Sequence, residues 1–251
     1  MTRLAEITRY TDEFLRIAEC GDWSNAINGL QAENSGKVTK IGAAVDASTR
    51  TFTAAAERGI DLLLVHHGLF WPGIQPLTGP FRRQIGFLLE RDIALYSAHL
   101  PLDVHPLVGN NVQLATSLGL ENFEPFLQMK GQLAGVKSTT ALMRDELARR
   151  LEQSLGGPVK LIASGPAITG TIGVITGGAG SELYAVAREG VDTFITGEAP
   201  HWAAVAAEEL GLNLFLGGHY ATETFGVKAL AEHLSERFRI PWEFIAAPTG
   251  L

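Results

Sequence analysis

Residues 41–71 read IGAAVDASTRTFTAAAERGIDLLLVHHGLFW, and residues 172–202 read IGVITGGAGSELYAVAREGVDTFITGEAPHW. The two stretches align without a gap, and seven of their 31 positions are identical: Ile41/Ile172, Gly42/Gly173, Ala54/Ala185, Ala56/Ala187, Gly59/Gly190, Asp61/Asp192 and Trp71/Trp202. Alanine matches carry little weight, but a shared glycine-x-aspartate at a helix-to-strand turn is specific. In the first stretch Ser48 or Thr49 caps a helix and Gly59 closes it. Leu62-Leu63-Leu64-Val65 then reads as a strand that is apolar on both faces and ends at Val65, as a buried parallel strand must be.

The context of the two stretches repeats as well. TTALMRDELARRLEQSLG stands where an N-terminal helix over Ala5–Cys20 stands in the first copy, and GPVKLIASG stands where the strand around AINGLQ does. Downstream, RDIALYSAHLPLD parallels GLNLFLGGHYATE, each a helix end, an apolar strand and then His-x-x-x-carboxylate. The expected fold is therefore α/β: two similar α/β units from an internal duplication, with helices alternating with strands. ENFEPFLQMKGQLAG has weak periodicity, which places the boundary near residues 121–135, with a first repeat over 1–126 and a second over 127–251.

The chain has 251 residues, 46% hydrophobic and 19% charged, enough for one large domain or two small ones. A net charge of −7 with no cluster of Lys and Arg disfavours nucleic acid and anionic membranes as partners. Cys20 is the only cysteine, so no intramolecular disulfide forms, and it reads as a small buried side chain at a helix end. The N-terminal segment carries charges throughout and no apolar run reaches membrane-spanning length. The expected location is cytoplasmic.

Four of the seven histidines, His66, His67, His99 and His219, fall at or just past expected strand ends. Ligands bind at the carboxyl ends of parallel strands, where loops and helix N-termini converge. Asp103 and Glu223 follow His99 and His219 by four residues. Glu223 sits in the first turn of a helix, whereas Pro101 interrupts a helical turn and leaves Asp103 on a loop. Four imidazoles and two carboxylates are the donors used for zinc, iron, manganese and nickel, and six of them match two divalent ions with positions left for water or substrate. A histidine-lined phosphate or nucleotide site without metal is the alternative.

The alignment sets Gly197 and Glu198 opposite His66 and His67, so only one copy keeps the histidine pair and the site is expected in the cleft between the halves. Glu198 and His201 are candidate acid/base or substrate contacts, with helix capping an equal reading for Glu198. His105 lies near Asp103 as a second candidate contact, while His233 reads as a flank residue of an amphipathic helix. Gly177, Gly178 and Gly180 read as a tight strand-to-helix turn, with anion binding as the alternative, because they do not complete a dinucleotide fingerprint.

At LLLVHHG, AHLPLD, TGGAGS, TGE and GGHYATE, and at GDWSNAINGLQ near the start, the sequence resembles the GTP cyclohydrolase I type 2 or Nif-three-like family of dinuclear-metal-centre hexameric proteins. The resemblance spans essentially the whole chain. It implies two similar α/β domains, a toroidal homohexamer and a dinuclear metal site held by His66, His67, His99, Asp103, His219 and Glu223. The early segment DWSNAINGLQ is longer than the family's usual form. Two functions follow as expectations. One is a metal-dependent hydrolase of a purine nucleotide or other small phosphorylated substrate, with metal-bound hydroxide as nucleophile and Glu198, His201 or His105 moving protons. The other is a non-catalytic metal-binding scaffold, carrier or adaptor.

Overall fold

A computed structural model describes residues 2–250. The chain divides into two compact units, Met1–Leu102 with Gly226–Ala247, and Asp103–Phe225 with Pro248–Leu251. This division differs from a single cut between residues 126 and 127. The segment of weak periodicity is a β-hairpin, Glu124–Met129 paired antiparallel with Gln132–Thr139, and that cut would sever its first strand. Lys130 and Gly131 at its tip both have positive φ (49° and 88°), the backbone that a two-residue hairpin turn requires.

The first unit carries a five-stranded sheet in the order Trp242–Phe244, Ile41–Asp46, Leu62–His67, Ala94–Ser97, Gly29–Ala32. The first four strands are parallel and the last antiparallel. Phe52 and Ala55 of the Thr49–Glu57 helix pack with Ala44, Leu63 and Val65 in one buried cluster. Ser48 caps that helix through a reciprocal bond with Thr51, as its sequence position requires. The N-terminal helix is shorter than expected: it runs from Leu4 to Phe14, and Arg16, at φ 54°, turns the chain out of helical geometry.

The second unit has a six-stranded sheet, with Thr171–Val174, Thr193–Thr196 and Asn213–Leu216 as its parallel centre and Lys160–Ala163 antiparallel at one edge. Alternation along these strands builds two cores. Phe194 and Leu214 pack with Leu183, Val186, Ala203 and Ala206, whereas Ile195 and Phe215 pack with Leu114, Leu118, Leu147 and Leu151.

The duplication is visible in the hydrogen bonds. Ile41 pairs in register with Leu62, and Ile172 with Thr193, at the same sequence separation. Asp61 accepts backbone N–H bonds from Thr39 (2.8 Å) and Lys40 (3.1 Å). Its counterpart Asp192 accepts them from Gly170 (2.8 Å) and Thr171 (2.9 Å), the repeat-equivalent donors. Gly59 and Gly190 take left-handed backbone just before these aspartates (φ 64° and 77°). A Cβ on Gly42 would come 2.8 Å from Ile60 Cδ1, and one on Gly173 would come 3.2 Å from Val191, the repeat-equivalent residue. The glycine and aspartate identities between the copies are thus constraints of the strand–helix–strand unit itself. No described helix is long and apolar enough to cross a membrane.

Candidate metal centre

In the first unit the strand expected to end at Val65 continues through both histidines, and His67 pairs across the sheet with Asp46. Sheet pairing, which sequence patterning does not reveal, carries the strand those two residues further. His66 is fully buried, and its Nδ1–H donates to Ala98 O at 2.9 Å. His67 Nδ1–H donates to Asp46 Oδ1 at 2.8 Å. His99, just beyond the Ala94–Ser97 strand, donates Nδ1–H to Asp22 Oδ1 at 2.9 Å and its backbone N–H to Asn28 Oδ1 at 2.7 Å. A carbonyl or carboxylate oxygen can only accept, so each bond puts a ring proton on Nδ1, and in the neutral imidazole the lone pair is then on Nε2.

The three rings come together, with centroids 4.8 Å (His66–His67), 4.9 Å (His66–His99) and 5.7 Å (His67–His99) apart. Their ligand atoms lie within 4.8 Å of one another, so the group could hold a metal ion. Imidazoles oriented through Nδ1 by carboxylate or carbonyl acceptors fit such an ion, because that support fixes ring and tautomer.

Asp22 has a 6% exposed side chain. Burial pushes its pKa up, but hydrogen bonds from His99, Asn28 and the Trp23 N–H outweigh this and hold it below the ordinary aspartate value. Asp22 also accepts the Leu100 N–H at 3.0 Å. Gly68 after the histidine pair has a steric reason: a Cβ there would lie 2.2 Å from Gln31 Nε2. Gln31 is pinned in turn, with Oε1 accepting Leu69 N–H at 2.8 Å and Nε2 donating to Ile27 O at 2.8 Å.

In the second unit the Asn213–Leu216 strand leads through Gly218 (φ 90°) to a short helix, His219–Thr222, with Glu223 at its end. His219 Nε2 lies 3.1 Å from Glu223 Oε1, and Nδ1 lies 2.9 Å from Glu198 Oε1. Burial disfavours the imidazolium, but the hydrogen bonds and charges of Glu223 and Glu198 prevail, and the His219 pKa is raised to about 9. A folded-state pKa above the unfolded value of 6.5 gives stability that is complete below 6.5 and disappears as pH rises through about 9. Metal-free protein is accordingly expected to lose denaturant resistance across that window, and Glu223→Gln to flatten the loss. Equal slopes for both proteins would contradict the assignment.

Asp103 is buried and accepts from Asn110 Nδ2 at 2.8 Å and Thr176 Oγ1 at 3.3 Å. It ends a helical turn, Leu100–Asp103, and is not on a loop as Pro101 suggested, because a proline is tolerated in a first helical turn. Glu198 is exposed and engaged by His219. His201 is exposed at the head of the Trp202–Leu210 helix. His105 is buried and serves its own turn: its Nδ1 accepts the N–H groups of Val108 (3.2 Å) and Leu107 (3.3 Å). His233 is half-buried, stacks on Phe14 and meets the Tyr10 hydroxyl at 2.8 Å.

The glycine stretch is a packing device. Gly177 N–H goes to Thr222 Oγ1, Ala179 N–H to Thr196 Oγ1 and Gly180 N–H to Glu198 O, so these donors are spent inside the protein and not presented to an anion. The aspartate, asparagine and glutamine of DWSNAINGLQ were the residues that periodicity did not identify as part of the site. The available clue was a dense run of polar side chains between helix and strand.

The chain matches the sequence profile of the Duf34/NIF3 (NGG1p interacting factor 3) family over residues 2–249. A relative from Deinococcus radiodurans named GTP cyclohydrolase 1 type 2 homolog is 42% identical over 98% of this chain and 94% of its own. One of the same name from Archaeoglobus fulgidus is 41% identical over 99% of each. Among solved structures, TTHA1606 from Thermus thermophilus superposes with a TM-score of 0.92 at 40% identity, covering 100% of both chains. HcgD from Methanocaldococcus jannaschii, in its reduced form, gives 0.86 at 28% identity over 98% of each.

Proposed function

Because the chain belongs to the Duf34/NIF3 family, we propose that His66, His67, His99, Asp103, His219 and Glu223 hold two divalent metal ions, and that the protein is a metal-dependent hydrolase of a purine nucleotide or other small phosphorylated substrate. The observation that carries this reading is the trio of imidazoles whose Nδ1 protons are fixed by Asp46, Asp22 and Ala98 O. Zinc, iron, manganese and nickel all suit nitrogen and oxygen donors of this kind. When bound, such ions supply Lewis acidity and a nucleophile at neutral pH.

Each protein group has a part. Asp22 and Asp46 keep the His99 and His67 rings aimed and raise their basicity. Glu198 holds the Nδ1 proton of His219, and the proton between His219 Nε2 and Glu223 Oε1 would have to leave before either atom could serve a metal ion. His201 is the proposed proton carrier to the leaving group. A homohexamer belongs to the same proposal, and a native mass six times that of the chain would support it.

The test is turnover of GTP and a panel of purine nucleotides and small phosphorylated compounds by metal-loaded protein. We expect hydrolysis of at least one compound, abolished in His67→Ala. Loaded wild type that turns over nothing on the panel would replace the hydrolase with a non-catalytic metal-binding scaffold.

A further inference from the structure

Residues 22–31, DWSNAINGLQ, have no regular structure until the Gly29–Ala32 strand begins, yet they are fixed with unusual thoroughness. Asp22 bonds to the His99 ring and to Leu100 N–H, and Asn28 to His99 N–H. Asn25 Nδ2 donates to Trp71 O at 2.8 Å, and Gln31 takes Leu69 N–H. Four polar side chains therefore tie this loop to the segments around the histidine trio.

The loop presents three large apolar side chains. Trp23 is 39% exposed, with Ile27 47% and Leu30 38% exposed beside it in sequence. The Trp23 ring lies 5.5 Å from the His99 ring, and the Trp71 ring 4.7 Å from it. The two indoles meet at 72° with centroids 6.5 Å apart, forming a corner of two aromatic walls against the imidazoles. A loop pinned at four points loses little entropy when a ligand settles on it, and preorganised indoles are sequence-tolerant stacking platforms for flat heterocycles.

We propose that Trp23 and Trp71 form a stacking subsite for a planar heteroaromatic ring, so that a ligand places its ring system in the indole corner beside the imidazole trio. The subsite deepens the hydrolase reading, since it assigns the ring of the substrate to named residues, and it rests on that reading for its substrate role. Ring binding itself needs no metal, because the contacts come from the indoles.

The experiment is a titration with guanosine, which has the ring but no phosphate, against the chelator-treated protein and the zinc-loaded protein. Tryptophan fluorescence is read with absorption correction, and ribose 5-phosphate serves as the ring-free control. Saturable quenching by guanosine in both forms is expected, with no response to ribose 5-phosphate in the chelator-treated form. Trp23→Leu should weaken guanosine at least about fivefold, the lower end of what a lost base–aromatic stack costs, in a protein that still binds zinc and melts cooperatively. Trp23→Phe should recover part of the loss. Absence of quenching in folded, zinc-binding wild type would overturn the subsite and leave the metal centre standing. Guanosine quenching in a protein that binds no zinc would support the subsite and remove the metal centre. Unaltered guanosine affinity in Trp23→Leu accompanied by a smaller native mass would also overturn it, making the loop a contact between copies of the chain.

Discussion

Gly177→Ala is expected to destabilise the protein by about 2–4 kcal/mol, and to weaken metal retention at His219 and Glu223. Gly177 has φ 68°, where a side chain is strained. A Cβ there would lie 2.2 Å from Glu223 Oε1 and 3.3 Å from His219 Nε2. Glu223 is 3% exposed and has no solvent to retreat into. The backbone cannot yield either, because Gly177 O accepts from Gly197 N–H, Glu198 N–H and Thr196 Oγ1 at 2.9–3.1 Å. Gly190→Ala is the matched control, since Gly190 has φ 77° but open space where its Cβ would stand. It should cost only the backbone strain, about 1–2 kcal/mol, and leave metal retention intact. Denaturant melts and metal content of both variants check this; indistinguishable behaviour would show that the glycine serves the turn alone.

The second large effect is expected at Asp22. Asp22→Ala leaves the His99 Nδ1–H and the Leu100 N–H without their acceptor and removes the carboxylate that aims the ring. Metal affinity should fall roughly 10–100-fold, the range seen when a carboxylate behind a ligating histidine is removed. An unpaired buried donor adds about 1–3 kcal/mol of destabilisation. Asp22→Asn keeps an acceptor of the same shape and should recover part of both losses. Competition titration with a chromophoric zinc chelator measures the affinity, and an unchanged constant for Asp22→Ala would show that His99 needs no such support.

The histidine positions were legible because they fall at the ends of apolar runs in a repeated unit, and parallel strands gather their ends. His66, His67 and His99 meet in the first unit, and His219, Glu223 and Glu198 meet in the second. The Gly-x-Asp turn was legible as a repeat, and its reason, paired N–H bonds to Asp61 and Asp192, appears only in three dimensions. Other features left no local pattern. The Trp242–Phe244 strand pairs with Ile41–Ala43 from the far end of the chain, joined by ion pairs of Glu243 with Lys40 and Arg58. Nothing in the spacing of apolar residues announces a partner some 200 positions away. Asp22, Asn28 and Gln31 act through side-chain bonds to distant backbone, which hydrophobic periodicity cannot register. The bonds of His105 are equally invisible in the pattern: its Nδ1 accepts backbone N–H groups of its own turn.

The central claim is that the imidazole trio of the first unit holds metal. Elemental analysis of wild type and His67→Ala, each dialysed into metal-free buffer after loading with zinc, tests it most directly. His67 has a 13% exposed side chain at the end of its strand, so its removal spares the fully buried core around His66. Zinc retained by wild type and lost from a His67→Ala protein that still melts cooperatively is the predicted result. Equal zinc in the two proteins would contradict the account.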